Sequence, residues 1–176
     1  MKSLVIALFL SLIGISLQAQ VDIIQTAKKA GDSIPEAVLY DIKNQKTSVK
    51  TVCANKPTVI LFYRAGWCPY CNAHLSEMQE IQKQLISMGY QIIAISTETP
   101  ESIVETKRKN FTKYAMYSDL DFEAMEAFGI RSGQIAHPAC FIVDSKGVIR
   151  YAYTNQDYKT RVSKEVVIAE AQKALK

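Results

Sequence analysis

The chain has 176 residues, 48% of them hydrophobic and 22% charged, which is the balance of one globular domain with enough apolar residues for a core. A net charge of +4 is scattered, with only Lys107-Arg108-Lys109 clustered on an expected helix face, and this argues against a nucleic-acid partner. Four cysteines are too few for a disulfide scaffold, and there is no repeat, low-complexity tract or long charge run.

The first segment reads as a secretory signal peptide. Lys2 gives a positive start, Leu4 to Leu17 an apolar stretch, and Leu17-Gln18-Ala19 a small residue for cleavage after Ala19. The apolar stretch is shorter than the roughly 20 residues that span a bilayer. The expected mature protein is therefore extracytoplasmic, most simply periplasmic, without stable membrane insertion. Residues 20–30 form an N-terminal arm and residues 31–176 the folded domain.

Gly31-Asp32-Ser33-Ile34-Pro35 reads as a turn before two short strands, Ala37 to Tyr40 and Thr47 to Lys50, paired as a hairpin. Thr58 to Tyr63 is β-branched and apolar, a core strand buried on both faces. From Cys71 on, Leu75, Met78, Ile81, Leu85 and Met88 recur at three and four, marking one helical face that Gly89 terminates. Gln91 to Ser96 is the second core strand, which completes a βαβ unit. Thr99 and Pro100 open a helix through Asn110, Ala115 to Tyr117 is a short strand, and Asp121 to Phe128 a short helix closed by Gly129. Ala139 to Val143, the turn Asp144-Ser145-Lys146-Gly147 and Val148 to Tyr153 form a second hairpin. Ser163 caps a last helix to Leu175, with Val166, Val167, Ala169 and Leu175 as its expected packing face. The order predicts one α/β domain with a mixed central sheet.

Trp67-Cys68-Pro69-Tyr70-Cys71 stands at the junction of the first core strand and its helix. Backbone N–H groups at a helix N-terminus favour a thiolate, and a second thiol one turn on can resolve a mixed disulfide. The spacing therefore points to thiol–disulfide exchange, with Cys68 attacking, Cys71 resolving, Pro69 stiffening the loop and Trp67 covering one side. A structural disulfide is the alternative. A zinc site would need four ligands, and no second pair with ligand spacing exists, so no metal or cofactor is expected.

Pro138 precedes the third core strand, where a bend is expected and where a cis bond would give the dithiol a facing wall. The two histidines are His74, one turn after Cys71, and His137, just before Pro138. Either could approach the thiols and tune them. Cys140 reads as a small buried hydrophobe, and Cys53 lies just before the first core strand; either could serve as an extra resolving thiol.

With these residues in view, the chain resembles the thioredoxin-fold superfamily and, within it, the AhpC/TSA (peroxiredoxin-like) branch. Gly31 to Pro35 resembles that branch's entry motif, Phe62 to Cys71 its members with C-P-Y-C, Phe141 to Arg150 its strand-turn-strand ending, and Asp157 to Arg161 the tail of the same subgroup. The resemblance implies a thioredoxin-like fold with an N-terminal β-hairpin extension. It also implies a rival activity, thiol peroxidase. Aligned on Phe62-Tyr63, the peroxidatic cysteine of P-x-x-x-T-x-x-C falls on Cys71, its threonine on Cys68 and its proline on Arg64. The arginine expected beside that thiolate would come near the start of the late strand, where this chain has His137-Pro138. Those departures favour the first reading, an extracytoplasmic oxidoreductase acting on protein disulfides or with a redox partner protein. Peroxidase is the alternative, and a secreted binding module with a structural disulfide is a second one.

Overall fold

The computed structural model describes residues 24–175, so the expected signal peptide and residues 20–23 of the arm lie outside the described residues. In chain order the elements are β1 (Val38–Tyr40), β2 (Lys46–Ser48), α1 (Val49–Cys53), β3 (Thr58–Phe62), α2 (Pro69–Ser87), β4 (Gln91–Ser96), α3 (Pro100–Lys109), β5 (Ala115–Ser118), α4 (Glu123–Ala127), β6 (Arg131–Ser132), β7 (Ile135–Ala136), β8 (Ala139–Val143), β9 (Ile149–Thr154) and α5 (Lys164–Ala174). Seven strands make one mixed sheet in the order β2-β1-β5-β4-β3-β8-β9, and β6 pairs with β7 in a separate ribbon.

The apolar runs form the sheet centre. β3 is parallel to β4, with Val59 opposite Ile92, and antiparallel to β8, with Leu61 opposite Cys140. Successive side chains point to opposite faces. Val59 and Leu61 pack with Leu75, Met78 and Leu85 of α2, Ile103 of α3, and Val167 and Ala171 of α5. Ile60 and Phe62 pack on the other face with Val49 of α1, Ala124 and Met125 of α4, and Phe141. Each fully buried Val, Leu, Ile, Met or Phe side chain among these contributes about 1.5–3 kcal/mol, so the two layers fix where β3 ends and the dithiol begins. No helix among the described residues is long and apolar enough to cross a membrane.

Two local expectations are corrected. Val49 and Lys50 belong to α1 rather than a strand, because the Ser48 hydroxyl accepts the Thr51 N–H and starts a helical turn. The terminal helix packs through Val167 and Ala171, whereas Val166 is 40% exposed and Ala169 and Leu175 also face solvent. The expected stop at Gly129 holds, with φ +70°, and the position has a second constraint. The Thr26 hydroxyl donates to the Gly129 carbonyl, and a Cβ on residue 129 would lie 1.9 Å from the Thr26 carbonyl oxygen. The arm at residues 24–30 is thus held against the end of α4.

Candidate functional site

The site lies at the carboxyl ends of the parallel strands, where open α/β sheets hold their ligands. Beyond β3, the Tyr63 N–H still donates to Ile95 (3.1 Å), and the chain then leaves the sheet. Gly66 pins the loop. Its N–H donates to Glu98 Oε1 (2.9 Å), and its carbonyl accepts Asn72 Nδ2 (2.8 Å). A Cβ on residue 66 would sit 1.9 Å from Thr106 Oγ1, so the loop lies against α3 at a distance only glycine permits. Thr106 Oγ1 itself donates to Glu98 Oε1 (2.9 Å), and Asn110 Nδ2 donates to Asn72 Oδ1 (2.9 Å).

This frame sets the start of α2. Cys68 is its cap residue in extended geometry, Pro69 is its first helical residue, and Cys71 falls in the first turn. Both sulfurs are inside the protein: Cys68 is 1% exposed and Cys71 0%. Attack on a protein disulfide, the role the spacing gives to Cys68, needs an accessible sulfur, and this one is enclosed. All four cysteines are free thiols.

Two donors converge on Cys71 Sγ, the backbone N–H of Arg64 at 3.4 Å and Nη2 of Arg161 at 3.3 Å. Burial pushes the Cys71 thiol up, and the neighbouring Cys68 thiol adds to that rise. The Arg64 N–H and the Arg161 guanidinium pull it back down, since both favour the thiolate. Arg161 follows β9 and is braced by the carbonyls of Tyr158 and Thr160, to which Nη1 donates.

His74 is brought near this site in a supporting place. It is buried on α2, and its Nε2 lies 3.0 Å from the carbonyl oxygen of Val162, the neighbour of Arg161. Burial, followed by the Arg161 charge, takes its pKa down to about 4. His74 is thus a neutral imidazole, and Nε2 must carry the hydrogen that meets the carbonyl. It tethers the segment that carries Arg161.

His137 and Pro138 take a different place from the one expected. The described residues contain no cis peptide bond, so the His137–Pro138 bond is trans. In this extended form the His137 N–H reaches Ile130 (2.8 Å), and the Pro138 carbonyl receives the Asn155 N–H (3.1 Å), which prolongs the β8–β9 ladder. Both side chains line a small cavity with Arg64 and Tyr158. Burial first, then the Arg64 charge, lowers the His137 pKa. Trp67 does not cover the thiols as a lid. It is 66% exposed and stacks on Arg64, whose Cζ lies 5.2 Å from its ring and 4.7 Å from the ring of Tyr158.

The other cysteines stand apart. Cys140 is enclosed in β8, and burial pushes its thiol up to about 12; Cys53 closes α1 and is pushed up to about 11 for the same reason. Neither is a ready nucleophile. Arg161 is the residue that pattern reading did not single out. Its one sequence signal is the tail stretch Asp157 to Arg161, and nothing in that stretch points to a cysteine 90 positions earlier.

Residues 30–152 match the AhpC/TSA family. The chain belongs to that family. Among curated relatives it is 24% identical over 148 residues to peroxiredoxin Bcp of Escherichia coli (strain K12), covering 80% of this chain and 93% of that protein. It is 26% identical over 133 residues to chloroplastic peroxiredoxin Q of Suaeda salsa, covering 74% of this chain and 62% of that one. A peroxiredoxin-like protein from Aquifex aeolicus superposes with a TM-score of 0.75 at 21% identity, over 87% of this chain and 91% of its own. Enterococcus faecalis AhpC superposes with a TM-score of 0.73 at 19% identity, over 84% and 93%. These structures share the thioredoxin-like α/β fold, a central mixed sheet flanked by helices.

Proposed function

We propose that this AhpC/TSA-family chain is a thiol peroxidase in which Cys71 attacks and Cys68 resolves. The observation that carries the reading is the pair of donors on one sulfur, Arg161 Nη2 at 3.3 Å and the Arg64 N–H at 3.4 Å from Cys71 Sγ. Among the described residues no backbone N–H or side-chain donor other than the helix start is directed at Cys68 Sγ, whereas Cys71 Sγ has two. This reverses the roles that the C-x-x-C spacing suggested and favours the peroxidase alternative over disulfide exchange. The names of the curated relatives agree with it.

The chemistry balances in three steps. The Cys71 thiolate attacks the distal oxygen of a hydroperoxide, the O–O bond breaks, and the products are a Cys71 sulfenic acid and an alkoxide that takes up a proton as the alcohol, or water from hydrogen peroxide. Arg161 holds the thiolate and faces the charge that shifts onto the breaking bond. The Cys68 thiol then attacks the sulfenic sulfur, releasing water and leaving a Cys68–Cys71 disulfide. A dithiol on a redox partner protein reduces that disulfide and is itself oxidised. The leader pattern at residues 1–19 would place the cycle outside the cytoplasm.

Peroxide treatment followed by mass analysis tests the assignment. The parent protein should lose two hydrogens as the disulfide forms. Cys68→Ser should stop at a Cys71 sulfenic acid that dimedone traps, and Cys71→Ser should lose the fast reaction. A Cys71→Ser variant that consumes peroxide at the parental rate would overturn the reading. Insulin reduction by the parent but not by Cys68→Ser, with Cys71→Ser trapped as a mixed disulfide through Cys68, would restore the exchange reading.

A further inference from the structure

Arg64 stands where the family motif has a proline, and its side chain does something a proline cannot. Its backbone N–H rests on Cys71 Sγ, while its guanidinium is sandwiched between Trp67 and Tyr158. Its buried Nε has no hydrogen-bond partner among the described residues, and no ion pair among them includes it. Arg64 borders a cavity of about 120 Å³ shared with Ser132, His137, Gln156 and Tyr158. No carboxylate lines that cavity. The acid next in sequence, Asp157, is engaged elsewhere: it accepts Thr160 Oγ1 (2.7 Å) and the Lys159 N–H (3.0 Å). The Lys159 ammonium instead lies 5.7 Å from the Tyr158 ring, on the same aromatic that covers Arg64.

Arg64 is half-buried, and a partly desolvated cation with no counter-charge among the described residues attracts an anion. The planar fork of a guanidinium matches a carboxylate, and aromatic rings against its faces leave its edges to meet one. Ser132 and Gln156 add neutral donors, and the cavity admits a headgroup rather than a whole substrate. We propose that Arg64 and this cavity form a subsite for the carboxylate of a small substrate that reacts at Cys71. That substrate is either a carboxylated hydroperoxide or a carboxylated thiol that reduces the disulfide. The choice between them rests on the peroxidase reading; the binding itself does not.

The test uses the sole tryptophan of the chain, Trp67, as its reporter. Propionate is titrated at constant ionic strength, with propionamide as the neutral control. A saturable change in Trp67 emission with propionate alone, lost in Arg64→Gln and kept in part in Arg64→Lys, supports the subsite. Equal responses to propionate and propionamide overturn it. Two matched pairs then identify the substrate: a carboxylated hydroperoxide against its amide in the oxidation of Cys71, and mercaptopropionate against mercaptopropionamide in reduction of the disulfide. A preference of about tenfold or more for the acid, the scale of a charge-assisted hydrogen bond, is expected in one pair and should fall toward unity in Arg64→Gln. No preference in either pair overturns the subsite. If Arg64 served only to brace the Tyr158 loop, the variant would slow acid and amide alike and leave their ratio unchanged. An Arg64-dependent preference in the thiol pair, without fast peroxide oxidation, would keep the subsite and remove the peroxidase.

Discussion

Replacing Arg161 by glutamine removes the one side-chain charge that, among the described residues, touches Cys71 Sγ, while keeping polar bulk near the carbonyls that brace it. A hydrogen bond to a charged group contributes about 1.5–3 kcal/mol, and each 1.4 kcal/mol is about tenfold in rate. The guanidinium is half-buried and the contact to sulfur is 3.3 Å, so the lower end applies. Arg161→Gln should therefore slow Cys71 oxidation about tenfold at neutral pH. The sign with pH follows from the thiol. Burial holds Cys71 up and Arg161 pulls it down, so the variant's thiol rises further and its thiolate appears at higher pH. The deficit should shrink as pH rises through the variant's titration. Stopped-flow mixing with hydrogen peroxide, followed by Trp67 emission over a pH series, measures both effects. A variant that keeps its fold and reacts within about twofold of the parent at every pH would refute the role given to Arg161.

Three further outcomes are expected. His74 titrates near 4 in the fold against 6.5 when free, so the unfolded chain binds the extra proton between those values. Stability should fall by about 3 kcal/mol as pH drops from about 6.5 to about 4, and in urea titrations His74→Gln should lose that part of the slope. Gly66→Ala should cost about 1–3 kcal/mol in chemical denaturation, because the new Cβ meets Thr106 Oγ1; adding Thr106→Ala should recover part of the loss, though the Cβ of residue 106 remains 3.0 Å and Glu98 Oε1 3.2 Å away. With Cys68 and Cys71 both changed to serine, iodoacetamide at mildly alkaline pH should leave Cys53 and Cys140 unmodified in the folded protein and label both in urea, since burial holds their thiols at about 11 and about 12.

The sheet centre was legible because β3, β4 and β8 are continuous apolar runs, a pattern that only burial on both faces explains. The helix after the dithiol was legible from its three-four periodicity and from Gly89. The stretch Thr47 to Cys53 was not, since its β-branched residues favour a strand and only the Ser48 cap turns it into α1. The two-residue strands β6 and β7 carry too few side chains to show any period. At the site, Cys68 and Cys71 were legible because the chemistry needs that spacing at a helix start. Arg161 was hidden because its partnership with Cys71 is made by topology: β9 runs back beside β8, and the segment after it passes over the start of α2. His74 and His137 both sit close to the site, but the first became a tether and the second a cavity wall, a distinction that needs the third dimension.

The shared first turn of Cys68 and Cys71 has a consequence for survival under oxidant load. A sulfenic acid either condenses with a thiol or takes a second peroxide and passes to the sulfinic state, which most cells cannot reverse. Where the partner thiol sits on another segment, condensation waits for that segment to arrive. Here both thiols stand at the first turn of α2, so under the proposed cycle condensation would be a neighbour reaction with a high effective concentration. The second peroxide has little time to compete. A thiol peroxidase with this arrangement resists hyperoxidation and keeps turning over as peroxide accumulates, so that its limit is set by how fast electrons arrive.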